Sequence, residues 1–158
     1  MGVLRHLLLR RRIDNGAPRP PTSVDVMLLR PSHTINLDIA RTADDVYDYL
    51  AEPLNFPSWA AVTGPMEQVG PFEWKAETAF GPRFIRFSPR NEWNILDHAV
   101  FAMGEEPVVL PMWVVPNAGG CVLIFVFYRR DAMTDDQYRS ALEWIRTDFL
   151  TLRSLLES

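Results

Sequence analysis

Apolar and polar residues alternate through "TINLDIA" at 34–40, which places Ile35, Leu37 and Ile39 on one side with the two-residue period of a half-buried strand. The period then turns helical. Thr42, with Asp45 three positions later, forms a capping pattern, and Val46, Tyr49 and Leu50 make an apolar stripe that Pro53 and Pro57 bring to an end. Between them "PLNFPSWA" predicts a second, short helical turn carrying Phe56 and Trp59.

From about 66 to 130 short apolar runs are separated by turn residues roughly every ten positions, the spacing of an antiparallel meander. The clearest strand runs from Phe72 to Phe80, where Phe72, Trp74, Ala76, Thr78 and Phe80 alternate with Glu73, Lys75, Glu77 and Ala79; its aromatic face is expected to point inward. Turns are expected at "FGPR" (80–83), "SPRNE" (88–92), "GEEP" (104–107) and "NAGG" (117–120). Five strands follow from this segmentation, with a sixth if "AAVTGPMEQVG" pairs, so the strand at 34–40 brings the sheet to six or seven.

The last segment is helical over a long span. Thr134 and Gln137 form a capping box, and Tyr138, Ile145 and Leu152 recur every seven residues beside Leu142, Phe149 and Leu156. A helix of about 20 residues is expected, and burying seven or eight such side chains at ~1.5–3 kcal/mol each makes it a main contributor to the core.

Composition narrows the function. At 158 residues with 47% hydrophobic content the chain matches one globular domain. A net charge of -4, with no basic cluster inside the folded part, argues against nucleic acid as a partner. The single cysteine, Cys121, has no disulfide or metal-sharing mate, which fits a reducing cytoplasm and no cofactor or metal. Residues 1–26 read as an extension outside a domain at 27–158. "MGVLRHLLLRRR" has its basic run after a core too short for an export signal, although a basic amphipathic segment touching anionic membranes is the sharper alternative. No stretch reaches the ~18 apolar residues that span a bilayer, so no integral membrane segment is expected.

Strand, two short helices, antiparallel strands and a long C-terminal helix make an α+β order in which the sheet curves around the last helix. On "ARTADDVYDYLAEPLNFPSWA", "RFSPRNEWNILDHAV", "PMWVVPNAGG" and "MTDDQYRSALEWIRTDFLTLRSLLE", the chain resembles the SRPBCC or START-like superfamily, and within it the polyketide cyclase/dehydratase-like proteins, over about residues 34–157. That resemblance implies a helix-grip fold with a hydrophobic pocket between sheet and helix, used across the superfamily for lipids, polyketides, steroids or plant hormones and in some members for cyclisation or dehydration. Trp113 departs from the family phrase, in which a cation often stands at that place.

Candidate chemistry centres on "NEWNILDHAVF" at 91–101. Adjacent strand residues point to opposite faces, so Asp97 and His98 do not form a dyad. Parity does not decide between the odd set Ile95, Asp97, Ala99 and Phe101 and the even set Asn94, Leu96, His98 and Val100. A neutral imidazole enters an apolar pocket at far lower cost than a carboxylate, which places His98 inward and Asp97 on the outer face. His98 is then the candidate general acid or base, although a lone inward histidine is more often a satisfied core residue or a hydrogen-bond partner for a ligand. Trp59, Trp74, Met112, Arg86 and Tyr128 join it as candidate ligand-binding residues. Trp59, Trp74, Trp93 and Trp113 are aromatic wall candidates, Arg86 is a carboxylate partner if it faces inward, and Tyr128 and Tyr138 are hydroxyl donors. Trp144 is expected at the edge of its helix stripe.

Two functions compete on these residues. One is binding of a hydrophobic or aromatic, lipid- or polyketide-like small molecule by a monomer or homodimer. The other is a cyclase or dehydratase with His98 moving a proton; an interaction module acting through its outer face is a third, weaker reading. Against binding would stand an interior filled by side chains, with no cavity of ~300 Å³.

Overall fold

A computed structural model describes residues 29–61 and 63–158 of the chain; the expected extension at 1–26 lies outside the described residues. The elements run β1 (Ser32–Ile39), α1 (Ala43–Leu50), a 3-10 turn (Pro53–Asn55), α2 (Phe56–Trp59), β2 (Thr63–Gln68), β3 (Glu73–Thr78), β4 (Arg83–Phe87), β5 (His98–Phe101), β6 (Val109–Leu110), β7 (Met112–Asn117), β8 (Gly120–Tyr128) and α3 (Asp135–Glu157). This is the expected α+β order, two short helices after the first strand and a long helix at the end. The two-residue β6 brings the described strands to eight.

All pairings are antiparallel and fall into two sheets, a three-stranded one in the order β1-β8-β7 and a five-stranded one in the order β2-β3-β4-β5-β6. The chain crosses from one sheet to the other at Pro111, and a single bridge between Ile95 and Trp113 adds a second tie.

The period-two pattern explains the face that meets the helix. Ile35, Leu37 and Ile39 of β1 stand opposite Phe125, Leu123 and Cys121 of β8, and all six are buried. α3 lays Leu142, Phe149 and Leu152 on this face, its first turn closed by the full Thr134–Gln137 capping box. Leu123 and Leu152 are fully buried, each contributing ~1.5–3 kcal/mol of transfer free energy. The α1 stripe is rotated from the expected one. Ala43, Val46, Tyr47 and Leu50 are buried while Tyr49 is half-buried, because the Tyr47 hydroxyl turns inward to accept the Asn91 N–H at 2.7 Å. Pro57 begins α2 instead of ending α1, since the first turn of a helix needs no N–H from it.

Two expectations fail around the five-stranded sheet. The aromatic face of 72–80 is not inward throughout. β3 is shorter than its alternating pattern, ending before the left-handed turn at Gly81 (φ 86°), so Phe72 and Phe80 lie beyond its ends and are exposed; Ala76 is buried and Trp74 half-buried. The stretch 91–101 is strand only from His98 onward. Before that, Asn91 knits a loop, its Oδ1 accepting the N–H groups of Trp93 (3.0 Å) and Ile95 (3.1 Å) and its Nδ2 donating to the Ile95 carbonyl (2.8 Å), while Asn94 adopts φ 54°. Trp93, on this loop, is 71% exposed.

Candidate functional site

His98 opens β5 and faces inward, 6% exposed. Its ring stacks on Phe125 of β8 with centroids 6.0 Å apart and meets Phe56 of α2 edge-on at 5.9 Å, with Phe87 of β4 at 6.3 Å. Asp97 is not an outer-face strand residue. It is half-buried just ahead of β5, and its Oδ1 accepts the Met112 N–H at 3.0 Å, fastening the loop to β7.

The protonation of His98 follows from its partners. Nδ1 lies 3.2 Å from the Leu96 carbonyl oxygen, which can only accept, so Nδ1 carries the proton. Burial pushes the ring's pKa below the ordinary imidazole value, outweighing the Leu96 bond and the Asp97 charge, so the ring is neutral and Nε2 is a bare acceptor. No protein group bonds Nε2 among the described residues. Beside the ring lies a void of only about 10 Å³, bounded by Leu50, Phe56, Trp59, Phe87, Leu96 and Met112. That is room for one water or one hydroxyl group.

The expected enclosed pocket of ~300 Å³ is not found beside His98, where Phe56, Trp59 and their neighbours fill the space, and this outcome counts against a ligand enclosed in the interior. A larger space, about 370 Å³, opens to solvent elsewhere, at the corner where Glu157 Oε1 accepts the Ala40 N–H (2.7 Å), lined also by Asp38, Asn117, Cys121 and Arg153.

Strand register identifies a second apolar surface. Trp74, Ile85 and Val100 stand side by side across β3, β4 and β5, on the same face as Phe87 and His98. This inner face is not part of the core that α3 builds with the three-stranded sheet. Ile85 is buried, but Met66, Trp74, Arg83, Phe87 and Val100 are half-buried. At its margin Phe80, on the β3–β4 turn, packs on Trp144 of α3 at 5.3 Å, although the two are 58% and 49% exposed. An apolar face is thus left partly open beside α3, with His98 at one end and the Phe80–Trp144 pair at the other.

Of the six candidate ligand-binding residues, the structure brings together Trp59, His98 and Met112 around the void, and sets Trp74 on the same inner surface. Arg86 lies on the opposite face. It is exposed, bonded through Nε and Nη2 to Glu73 Oε2 (3.0 and 2.8 Å) and placed over the Phe101 ring at 5.3 Å. Tyr128 also points outward, alternating with the buried Phe125 and Phe127, and Trp113 does so beside the buried Met112 and Val114. Tyr138 stacks on Phe127 at 5.6 Å, a structural position.

The cation missed in the sequence is Arg83. It shares the inner face with Ile85 and Phe87, is half-buried, donates only to the Pro82 carbonyl (3.0 Å), and has no carboxylate within 4.0 Å among the described residues. The signal was present in "RFIRF", because an inward Ile85 and Phe87 carry Arg83 with them.

No family model matches the sequence, and no curated protein matches it. Solved structures do match. A START superfamily protein from Mycobacterium smegmatis superposes with a TM-score of 0.62 at 10% identity, over 80% of this chain and 97% of the other. The fold is START-like. This helix-grip architecture is shared with the di-domain ARO/CYC BexL from the BE-7585A biosynthetic pathway (TM-score 0.65, 15% identity, 80% of this chain and 46% of that one). It is shared also with the Aha1 dimer from Colwellia psychrerythraea (TM-score 0.64, 13% identity, 80% and 96%). Within the START-like fold α3 is the gripping helix, and no helix of the described residues is long and apolar enough to cross a membrane.

Proposed function

We propose that the protein binds an apolar small molecule on the inner face of the five-stranded sheet, against α3. The carrying observation is the pair of half-buried residues Trp74 and Val100 that flank the buried Ile85, all three outside the core that α3 builds. Flat or extended apolar ligands gain from covering such a surface, at roughly 25 cal/mol for each Å² removed from water. The void at His98 is too small for an enclosed ligand, so the ligand lies along the open face with only its tip reaching the ring. The fold shared with a START superfamily protein and a di-domain ARO/CYC supports binding as the general role.

A cyclase or dehydratase role for His98 has less support. Proton transfer needs partners that hold the reacting group, and among the described residues no second acid or base lies within hydrogen-bond reach of the ring. A reducing cytosol suits Cys121, a lone thiol buried in the core.

Native mass spectrometry of the purified full chain, before and after incubation with dodecanol, tests the binding reading. An apolar adduct is expected on the wild type and on Trp93→Ala, with several-fold less on Trp74→Ala. A wild type that carries no apolar mass and takes up none would overturn it.

A further inference from the structure

The open face is apolar along its length but has a polar group at each end, and the two differ in kind. We infer that the ligand is an amphipathic acid with a hydroxyl or other hydrogen-bond donor at its far end, the donor meeting Nε2 of His98 and the acid meeting Arg83. This rests on the binding reading above and adds polarity and length to it.

At the closed end the geometry admits only a donor. Nδ1 spends its proton on the Leu96 carbonyl, so Nε2 can accept but cannot donate. The ring is walled by Phe56, Phe87 and Phe125, and the adjoining void is hydroxyl-sized. A carboxylate placed there would meet a lone pair and no cation, at the full cost of burying a charge. Neutrality of the ring under its burial agrees with this.

At the open end the requirement reverses. Arg83 starts β4 opposite Ala76, with no carboxylate partner among the described residues. The Arg83 residue is half-buried while its guanidinium bonds the Pro82 carbonyl at the surface, and a planar guanidinium can take a carboxylate in a bidentate pair. The exposed cation on the same strand, Arg86, is already engaged by Glu73 on the other face.

Strand geometry sets the spacing. Arg83 and Phe87, the latter paired with His98, are four positions apart on β4, roughly 13 Å at ~3.3 Å per residue. Ile85 lies midway and is itself fully buried, so the body of the ligand passes over the half-buried Val100 beside it, two residues from His98 on β5. A molecule with both polar groups close together cannot reach both anchors.

Isothermal titration of the full chain with three probes, each below its micellar concentration, separates the elements: ω-hydroxydodecanoic acid, its methyl ester, and dodecanoic acid. The hydroxy acid is expected to bind about tenfold tighter than dodecanoic acid, the size of one buried neutral hydrogen bond. It is expected to exceed its ester by a similar factor that shrinks with added salt. Arg83→Met should weaken both acids but not the ester, and Arg86→Ala should weaken none. His98→Phe should abolish the hydroxyl preference, and the comparison of probes on the wild type stands even if that variant does not fold. Equal affinities for the three probes would overturn the two anchors while leaving the apolar surface intact. Binding of none of them would sink the binding reading and this inference together.

Discussion

Acidification should destabilise this protein through His98 in a way that one substitution removes. Burial holds the native ring's pKa below the ordinary value of 6.5, while the unfolded chain has that ordinary value. Below pH ~6.5 the unfolded state therefore binds a proton that the native state refuses, and the free energy of unfolding falls as pH falls. The slope is at most about 1.4 kcal/mol per pH unit, and it persists until the native ring itself titrates. In a domain of this size each kcal/mol lost lowers the melting temperature by about 4 °C. The surroundings offer little relief, since Phe56, Phe87 and Phe125 do not titrate and the Asp97 charge ranks below desolvation. The assay is urea denaturation at half-unit steps from pH 7.5 to 5, on the wild type and on His98→Phe. The aromatic replacement keeps the stacked position but has no proton to bind. It will be less stable at every pH because the Leu96 carbonyl loses its donor, so the informative quantity is the difference in slope. Other carboxylates, including Asp148, whose pKa burial raises, cancel in that difference. Parallel profiles for the two proteins would refute a buried neutral His98.

Ala118 holds φ 50° in the two-residue connection of β7 to β8, so Ala118→Gly is expected to stabilise by about 0.5–1 kcal/mol, and a lower melting temperature would contradict the turn assignment. Two positions on, a Cβ at Gly120 would sit 2.6 Å from the Ile39 carbonyl oxygen, and Gly120→Ala should cost about 1–3 kcal/mol by urea denaturation; an unchanged midpoint would show that β1 and β8 are not so closely set. Thr134→Ala removes the hydroxyl that accepts the Gln137 N–H, while its own backbone N–H can still donate to Gln137 Oε1, and should cost about 1 kcal/mol, with Thr134→Ser recovering most of it.

The fold was legible because its determinants are local and periodic. The strand at β1, the capped start of α1, the Phe56–Trp59 turn and the capping box of α3 each carry their own pattern, and the order of these elements leads to a sheet gripped on a terminal helix. Where pattern outran structure, the cause was a boundary. The alternation of 72–80 continues past both ends of β3, and the apolar spacing of 91–97 conceals a loop built on Asn91, whose side chain competes with strand pairing for the backbone of Trp93 and Ile95.

The site was legible in part. That His98 would face inward followed from the lower cost of burying imidazole than carboxylate, and the structure agrees. Arg86, a carboxylate partner only if it faced inward, faces outward and is bonded to Glu73, because Ile85 and Phe87 take the inner face of β4. The sequence alone determined most of the helical and extended segments and the identity of the inward histidine, since these depend on residue type and near-neighbour spacing. Only the tertiary structure decided that α3 grips the three-stranded sheet and leaves the five-stranded one partly open, that Phe56 and Trp59 fill the space beside His98, and that Arg83 has no carboxylate partner among the described residues. Those outcomes depend on which surfaces meet across the fold, and no local period encodes how far two packed layers close.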